Sequence, residues 1–328
     1  MDTAHPMQAI LAVTIPFFAL VLCGYLAARQ RVLPESAIPG LNAFVLYFAL
    51  PCLLFRFGMN TPLAQLLNPV VVAVYLASAL TIVAFTIAVT LSAAVPMKDA
   101  AFGALVAAFP NTGFMGVPLL VALLGAAAAG PVISSVLADL FVTSSLCIAL
   151  AQAHEAKGAG ARAAAAKALR GTLTNPLPWA IALGAATSAA GIPFAGPPEV
   201  IVRMLADAAS PVALFTIGAV LWRAGQHAHT RTPPELYLPV AAIKLFVHPL
   251  LVFSLGAAAR SIGAPLSAFE LTVLTLAAAL PSASNVSLLA ERYGADNGRI
   301  ARIIMASTAF AFVSFTLLAW AFGVGLSG

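Results

Sequence analysis

Two strings in this 328-residue chain set a proline inside an apolar stretch and follow it at once with small polar residues: Pro110-Asn111-Thr112-Gly113 and Pro281-Ser282-Ala283-Ser284-Asn285. A proline within a helix removes a backbone donor and clashes with the preceding turn, so the helix is interrupted and nearby carbonyls lose their partners. The segment beyond the break begins a new helix, whose unpaired amides and positive dipole end attract an anion. Two such ends facing each other could hold a carboxylate. Asn111, Thr112, Ser282, Ser284 and Asn285 add hydrogen-bonding groups, while Gly113 and Gly116 admit close approach by a backbone or a guest. The plainer reading of these polar side chains is that they cap the broken ends or bond to neighbouring helices.

Four ionisable residues also interrupt apolar stretches: Asp139, Asp207, Lys244 and His248. Charge in such a setting is costly and marks function by default. Lys244 lies seven residues past Tyr237, roughly 10 Å inward at helical rise, where it could neutralise a substrate carboxylate or pair with an aspartate. His248 follows one turn later on the same face and precedes Pro249. A structural role fits it as well as proton carriage does. Asp139 and Asp207 are candidates for coupling to a proton, or structural partners of Lys244.

The elements that must position these groups are membrane spans. With 62% hydrophobic and 8% charged residues, the chain lacks the roughly 25% charge of a water-soluble globule. Apolar runs between proline, glycine and charge punctuation fall at 6–28, 38–57, 69–95, 101–124, 131–152, 176–190, 199–222, 237–259, 269–290 and 300–324. Each approaches the roughly 20 residues that one bilayer crossing needs. The first run is preceded by Asp2 and no Lys or Arg, and Arg29 and Arg31 follow it; that pattern fits a retained span rather than a cleaved leader.

With both termini outside, the inner side would hold Arg29, Arg31, Lys98, Lys157, Arg162, Lys167, Arg170, Arg223, Arg231, Arg292, Arg299 and Arg302, twelve basic residues against Arg56, Arg203 and Arg260 outside. The positive-inside rule selects this orientation, and the loss or gain of one span would scramble it. The net charge of +5 is dispersed over short loops, which argues against nucleic acid as a partner. Cys23, Cys52 and Cys147 all sit in apolar runs and read as small core residues, not as a disulfide framework or a metal site.

A polar segment at 154–174 divides five runs from five. The expected organisation is a first five-helix repeat over 1–152, a cytoplasmic linker over 153–175 and a second repeat over 176–328. An odd number of spans per half requires any duplication to run in opposite directions across the membrane. Pro51-Cys52-Leu53-Leu54-Phe55 and Pro211-Val212-Ala213-Leu214-Phe215 are candidate counterparts, as are the two proline breaks. The fold expected is all-α: ten transmembrane helices as an inverted five-plus-five repeat, the fourth and ninth broken and crossing.

Several landmarks follow one another in order along nearly the full chain: Leu41-Asn42-Ala43-Phe44-Val45 leading to Leu50-Pro51, Pro110-Asn111-Thr112-Gly113-Phe114-Met115-Gly116-Val117-Pro118, Asn175-Pro176, Lys244-Leu245 with Pro249, and Leu280-Pro281 with Ala290 and Tyr293-Gly294. Together they resemble the auxin efflux carrier family in its compact bacterial form. The resemblance implies a scaffold part and a transport part, each drawn from both repeats, with substrate at the crossing of the broken spans. It also implies a bacterial inner-membrane location and a small organic anion such as malonate or malate as cargo. Pro110, Asn111 and Pro281 match best. Only a short linker stands where long plant members carry a large loop, which makes auxin itself a poor substrate candidate.

Secondary transport of a mono- or dicarboxylate by alternating access is therefore the leading expectation, with H+ or Na+ as coupling ion, lipid as surroundings, a homodimer as a candidate assembly and no cofactor. Sodium-coupled anion symport is the nearest alternative. A channel, a solute receptor, or an intramembrane aspartyl protease built on Asp139 and Asp207 stand further off. The sequence lacks the Gly-rich loop with Lys and Ser or Thr that binds ATP, and lacks a His-Glu-x-x-His metal motif.

Overall fold

Helices end in this chain where a proline, an amide side chain or a left-handed glycine stops them. In the computed structural model, which describes residues 4–62, 68–153, 175–226 and 232–324, twelve helices can be traced. They are α1 (Ala4–Arg29), α2 (Glu35–Asn60), α3 (Pro69–Thr90), α4 (Met97–Ala108), α5 (Thr112–Leu124) and α6 (Ala126–Gln152). The second half supplies α7 (Pro176–Ala189), α8 (Pro197–Gln226), α9 (Leu238–Ser261), α10 (Ala268–Ala278), α11 (Asn285–Arg292) and α12 (Asn297–Ala321). Among the described residues, β pairing is confined to two isolated bridges, Ser92 with Val95 and Pro110 with Ser282.

Seven of these helices, α1, α2, α3, α6, α8, α9 and α12, are long and apolar enough to cross a membrane. The runs expected as the fourth and ninth spans are each split, into α4 with α5 and α10 with α11, as proline requires. The sixth expected run is the 14-residue α7. The linker at 154–174 lies outside the described residues.

The helix starts follow from local chemistry. Asn68 Oδ1 accepts from the Val70 amide at 3.0 Å, with Pro69 in the first turn, and Asn175 Oδ1 accepts from Leu177 N at 3.0 Å ahead of Pro176. Ser267 and Glu270 form a reciprocal capping box on α10. Glu270 also accepts from Asn68 Nδ2 at 2.9 Å, tying the start of α3 to the start of α10. At the other end of the fold, Asp99 in the first turn of α4 accepts from the Asp296 amide at 2.7 Å. Glycine with positive φ ends both short helices that follow a break, Gly125 (φ 84°) after α5 and Gly294 (φ 67°) two residues beyond α11.

Helices α1, α2, α7 and α8 form one packed group, α1 lying along α8 and α2 along α7. Glycines bring their backbones together. A Cβ on Gly24 would stand 1.8 Å from Phe215 O, and one on Gly184 would stand 2.2 Å from Phe55 O. A Cβ on Gly218 would meet Val21 O at 1.9 Å, and one on Gly58 would meet Ile181 O at 2.5 Å. Adding 160 to Gly24 and Phe55 gives Gly184 and Phe215, and adding it to Val21 and Gly58 gives Ile181 and Gly218. The two pairs of contacts therefore exchange under one shift. A shift of 171 likewise carries Asp99 to Glu270 and Pro110 to Pro281. The remaining helices pack as a second group in which α4 joins α3 and α6, and α9 joins α3 and α10.

Two expectations need correction here. Arg299, counted among the inner-loop charges, is 2% exposed, its guanidinium bonded to Leu236 O at 2.8 Å and Asp99 O at 2.9 Å. Cys23 is exposed rather than a core residue, whereas Cys147 is buried.

Candidate functional site

The site begins with two failures of helix continuity. Pro110 forces Phe109 into an extended conformation (φ −98°, ψ 98°), so α4 stops at Ala108. On the other side, α10 stops at Ala278, ahead of Pro281. The two breaks then pair with each other: Asn111 N donates to Pro281 O at 2.8 Å, and Ala283 N donates to Phe109 O at 3.0 Å. Each break thus supplies the donor that the other's carbonyl lacks, which satisfies backbone that lipid could not. Ser282 N donates further to Ser307 Oγ on α12 at 3.2 Å.

The polar side chains around this bridge are buried and largely unused. Neither Asn111 at the start of α5 nor Ser284 at the start of α11 makes a side-chain capping bond, so the plain capping role does not account for them. Asn111 and Ser282 are 2% and 1% exposed, yet among the described residues Asn111 Oδ1 and Ser282 Oγ have no hydrogen-bond partner, and neither does Asn285 Oδ1. Buried polar atoms are satisfied as a rule, and these three stand close to the bridge between the breaks. Thr112 Oγ1 reaches Pro110 O only at 3.4 Å. Gly113 is partly exposed, with open space where a Cβ would stand, whereas Gly116 is packed against the Leu280 side chain.

Beside the bridge lies a cavity of about 230 Å³ whose polar lining comprises Tyr47, Ser144, Asn175, Asn285, Arg292 and Tyr293, with Phe109 at the end of α4. Ser144 Oγ is another buried atom without a partner. A second cavity of about 390 Å³ shares Leu46, Tyr47 and Leu288 with the first and adds Arg223 and Glu291.

The sequence offers Lys244 as a partner for a substrate carboxylate or for an aspartate. Fully buried in α9, it donates to Ala278 O, the last carbonyl of α10, and lies 3.3 Å from His248 Nδ1. A cation at a helix C-terminus complements the dipole there. Asp139 is equally buried, accepting from Tyr75 Oη at 2.6 Å and Thr143 Oγ1 at 3.0 Å. No ion pair within hydrogen-bonding reach joins Asp139 to Lys244, although the two act on each other electrostatically. His248 is buried with Nε2 unpartnered, and its ring lies 6.0 Å from that of Tyr75. Both charged residues sit in π turns, Asp139–Thr143 and Ile243–Val247, a local widening that frequently marks functional positions.

Asp207 does not join this cluster. It forms an exposed ion pair with Arg56 at 2.7 Å between α8 and α2, so Asp139 and Asp207 are not brought together as an aspartyl pair. Tyr75, Thr143, Ser144 and Ser307 are the members that sequence reasoning passed over. A hydroxyl in an apolar run carries no signal of its own, because most bond back to their own helix, as Ser78 does to Val74 O at 2.8 Å.

The described residues thus form a helical protein with seven membrane-crossing helices and two interrupted helices bonded to each other through their breaks. Residues 9–319 match the membrane transport protein family, and the chain belongs to that family, as the resemblance to auxin efflux carriers implied. It is similar to the protein of Rhizobium meliloti (strain 1021) named "Putative malonate transporter", with 29% identity covering 94% of this chain and 95% of that one. It is also similar to the "Uncharacterized transporter YfdV" of Escherichia coli (strain K12), 24% identical over 85% of this chain and 87% of that one.

Proposed function

We propose that the protein is a secondary carrier that moves a small organic anion, a mono- or dicarboxylate such as malonate or malate, by alternating access around the paired breaks. The observation that carries this reading is the bridge between the breaks, beside which the buried Ser282 hydroxyl has no partner among the described residues and can donate to a carboxylate. The open space beside Gly113 leaves room for a guest at the start of α5, whose dipole end favours an anion. The name carried by the R. meliloti relative supports malonate as the first solute to try.

The same proposal takes the helices as ten spans in two inverted repeats, α4 with α5 and α10 with α11 each counting as one interrupted span. The contacts that exchange under a shift of 160 support it, as do the matching shifts of the prolines and of Asp99 with Glu270. In this reading α1, α2, α7 and α8 are the scaffold, the other helices carry the solute, and both termini lie outside the inner membrane of a bacterium. Sodium coupling is the second reading, favoured by the cluster of unpartnered oxygens, since amide, hydroxyl and carbonyl oxygens suit that ion.

Uptake into proteoliposomes tests both. A panel of mono- and dicarboxylates under imposed proton and sodium gradients should give saturable flux with counterflow for at least one carboxylate. Asn111→Ala should weaken that solute's binding without preventing membrane insertion. Undiminished affinity in the variant removes Asn111 from the site, and unitary currents or binding without flux overturn the carrier reading.

A further inference from the structure

Among the described residues that line the cavity beside the breaks, Arg292 alone bears a formal charge; it is exposed and stands at the far end of α11 from Asn285. Seven residues separate them, two helical turns, so they share a face of α11 and their backbones lie roughly 10 Å apart. Arg292 and Asn285 thus offer two separated points of contact on one cavity, as a short-chain diacid needs. Arg292 makes no ion pair with any described residue; its recorded neighbour is the Tyr293 ring, 5.9 Å from the guanidinium carbon. Glu291, the adjacent acid, lines the neighbouring cavity together with Arg223 instead.

The cavity also offers a donor suited to an anion: the hydroxyl of the 6%-exposed Ser144 is buried without a partner among the described residues, and Asn285, whose amide nitrogen can donate, lines the same cavity. Lys244, the cation expected from the sequence to meet a carboxylate, is absent from the cavity wall, its ammonium already engaged by Ala278 O and His248. A guanidinium is well suited to a carboxylate, which it binds through two parallel hydrogen bonds.

We propose that Arg292 is the specificity-determining residue of the site: one carboxylate of the solute lies at the paired breaks near Asn285 and Ser144, and the Arg292 guanidinium binds the second. The protein is then selective for short dicarboxylates over monocarboxylates. This rests on the anion-carrier reading given above and sharpens it to a substrate class.

The test is proteoliposome uptake of malonate and succinate against acetate and propionate by the unmodified protein and by Arg292→Gln, Arg292→Lys and Asn111→Ala. The unmodified protein should prefer the diacids. Arg292→Gln should raise the dicarboxylate KM about tenfold relative to the monocarboxylate KM, and Arg292→Lys, which keeps the charge but loses the fork, should fall between. Asn111→Ala should weaken both classes together and leave their ratio in place. Should Arg292→Gln fail to insert, the Lys variant carries the comparison, since a pure loss of fold would not shift the ratio of the two KM values. An unchanged ratio in the Arg292 variants, with carboxylates still moved, overturns the role of Arg292 and leaves the carrier reading intact. A protein that moves neither class overturns both.

Discussion

The glycine-lined contacts among α1, α2, α7 and α8 and the region around the paired breaks solve opposite problems with the same apolar composition. In the first, four glycines let backbone lie against backbone, and each contact has a counterpart under a fixed shift. In the second, the main chain is interrupted, several polar atoms are buried without partners, and charged side chains reach helix ends. Association between helices in lipid rests on close van der Waals contact rather than on the hydrophobic effect. A region packed by such contact tolerates little rearrangement, while one with unsatisfied polar groups gains stability when a solute arrives. The contrast assigns rigidity to one part of the molecule and chemistry to the other.

The largest effect should come from filling a glycine contact. Gly24→Val would drive a branched side chain into the Phe215 carbonyl, a clash with backbone that no rotamer relieves, at a cost of about 4 kcal/mol or more. Detergent-solubilised protein should then elute as aggregate on size exclusion; a monodisperse, thermally unchanged variant would break the comparison from its rigid side. Next is Lys244→Ala, which strips the last carbonyl of α10 of its donor and leaves Asp139 without a nearby cation, on the order of 3 kcal/mol. It should slow uptake of mono- and dicarboxylates alike. A selective loss of diacids would instead place Lys244 against the solute.

Tyr75→Phe removes one hydrogen bond from a buried carboxylate while keeping the ring, so the thermal midpoint should fall by a few degrees, about 2 kcal/mol. An unshifted midpoint would show that Asp139 does not depend on Tyr75. The smallest effect belongs to Asp207→Asn, because its ion pair with Arg56 is exposed and such pairs contribute about 0–1 kcal/mol. Transport rates in that variant should match the unmodified protein. A marked loss would return Asp207 to the functional core.

Asp139 and Asp207 also mark the limit of what the chain discloses when read as a string. Both end the tripeptide Leu-Ala-Asp inside an apolar run, yet one is sealed against Tyr75 and Thr143 and the other faces Arg56 at the surface. Local sequence is the same; the partner helix decides. Pro110 and Pro281 were legible because proline acts on its own backbone, wherever the neighbours are. The apolar runs were legible because bilayer thickness sets their length. Gly24 and Gly218 are single small residues in apolar runs, and only the helix opposite gives them meaning. Lys244 was recognisable as costly from its position, but its direction depended on the π turn that holds it and on where α10 ends. Arg299 misled for the same reason, since a basic residue at a helix start looks like a loop charge until Asp99 and Leu236 fold over it.

The exchange of two main-chain hydrogen bonds between Phe109 to Asn111 and Pro281 to Ala283 ties the interrupted helix of one half of the polypeptide to that of the other. Neither interruption can tilt, lengthen or admit a visitor without its opposite number registering the same event. If the proposed solute binds at that junction, both halves meet it through one shared piece of main chain.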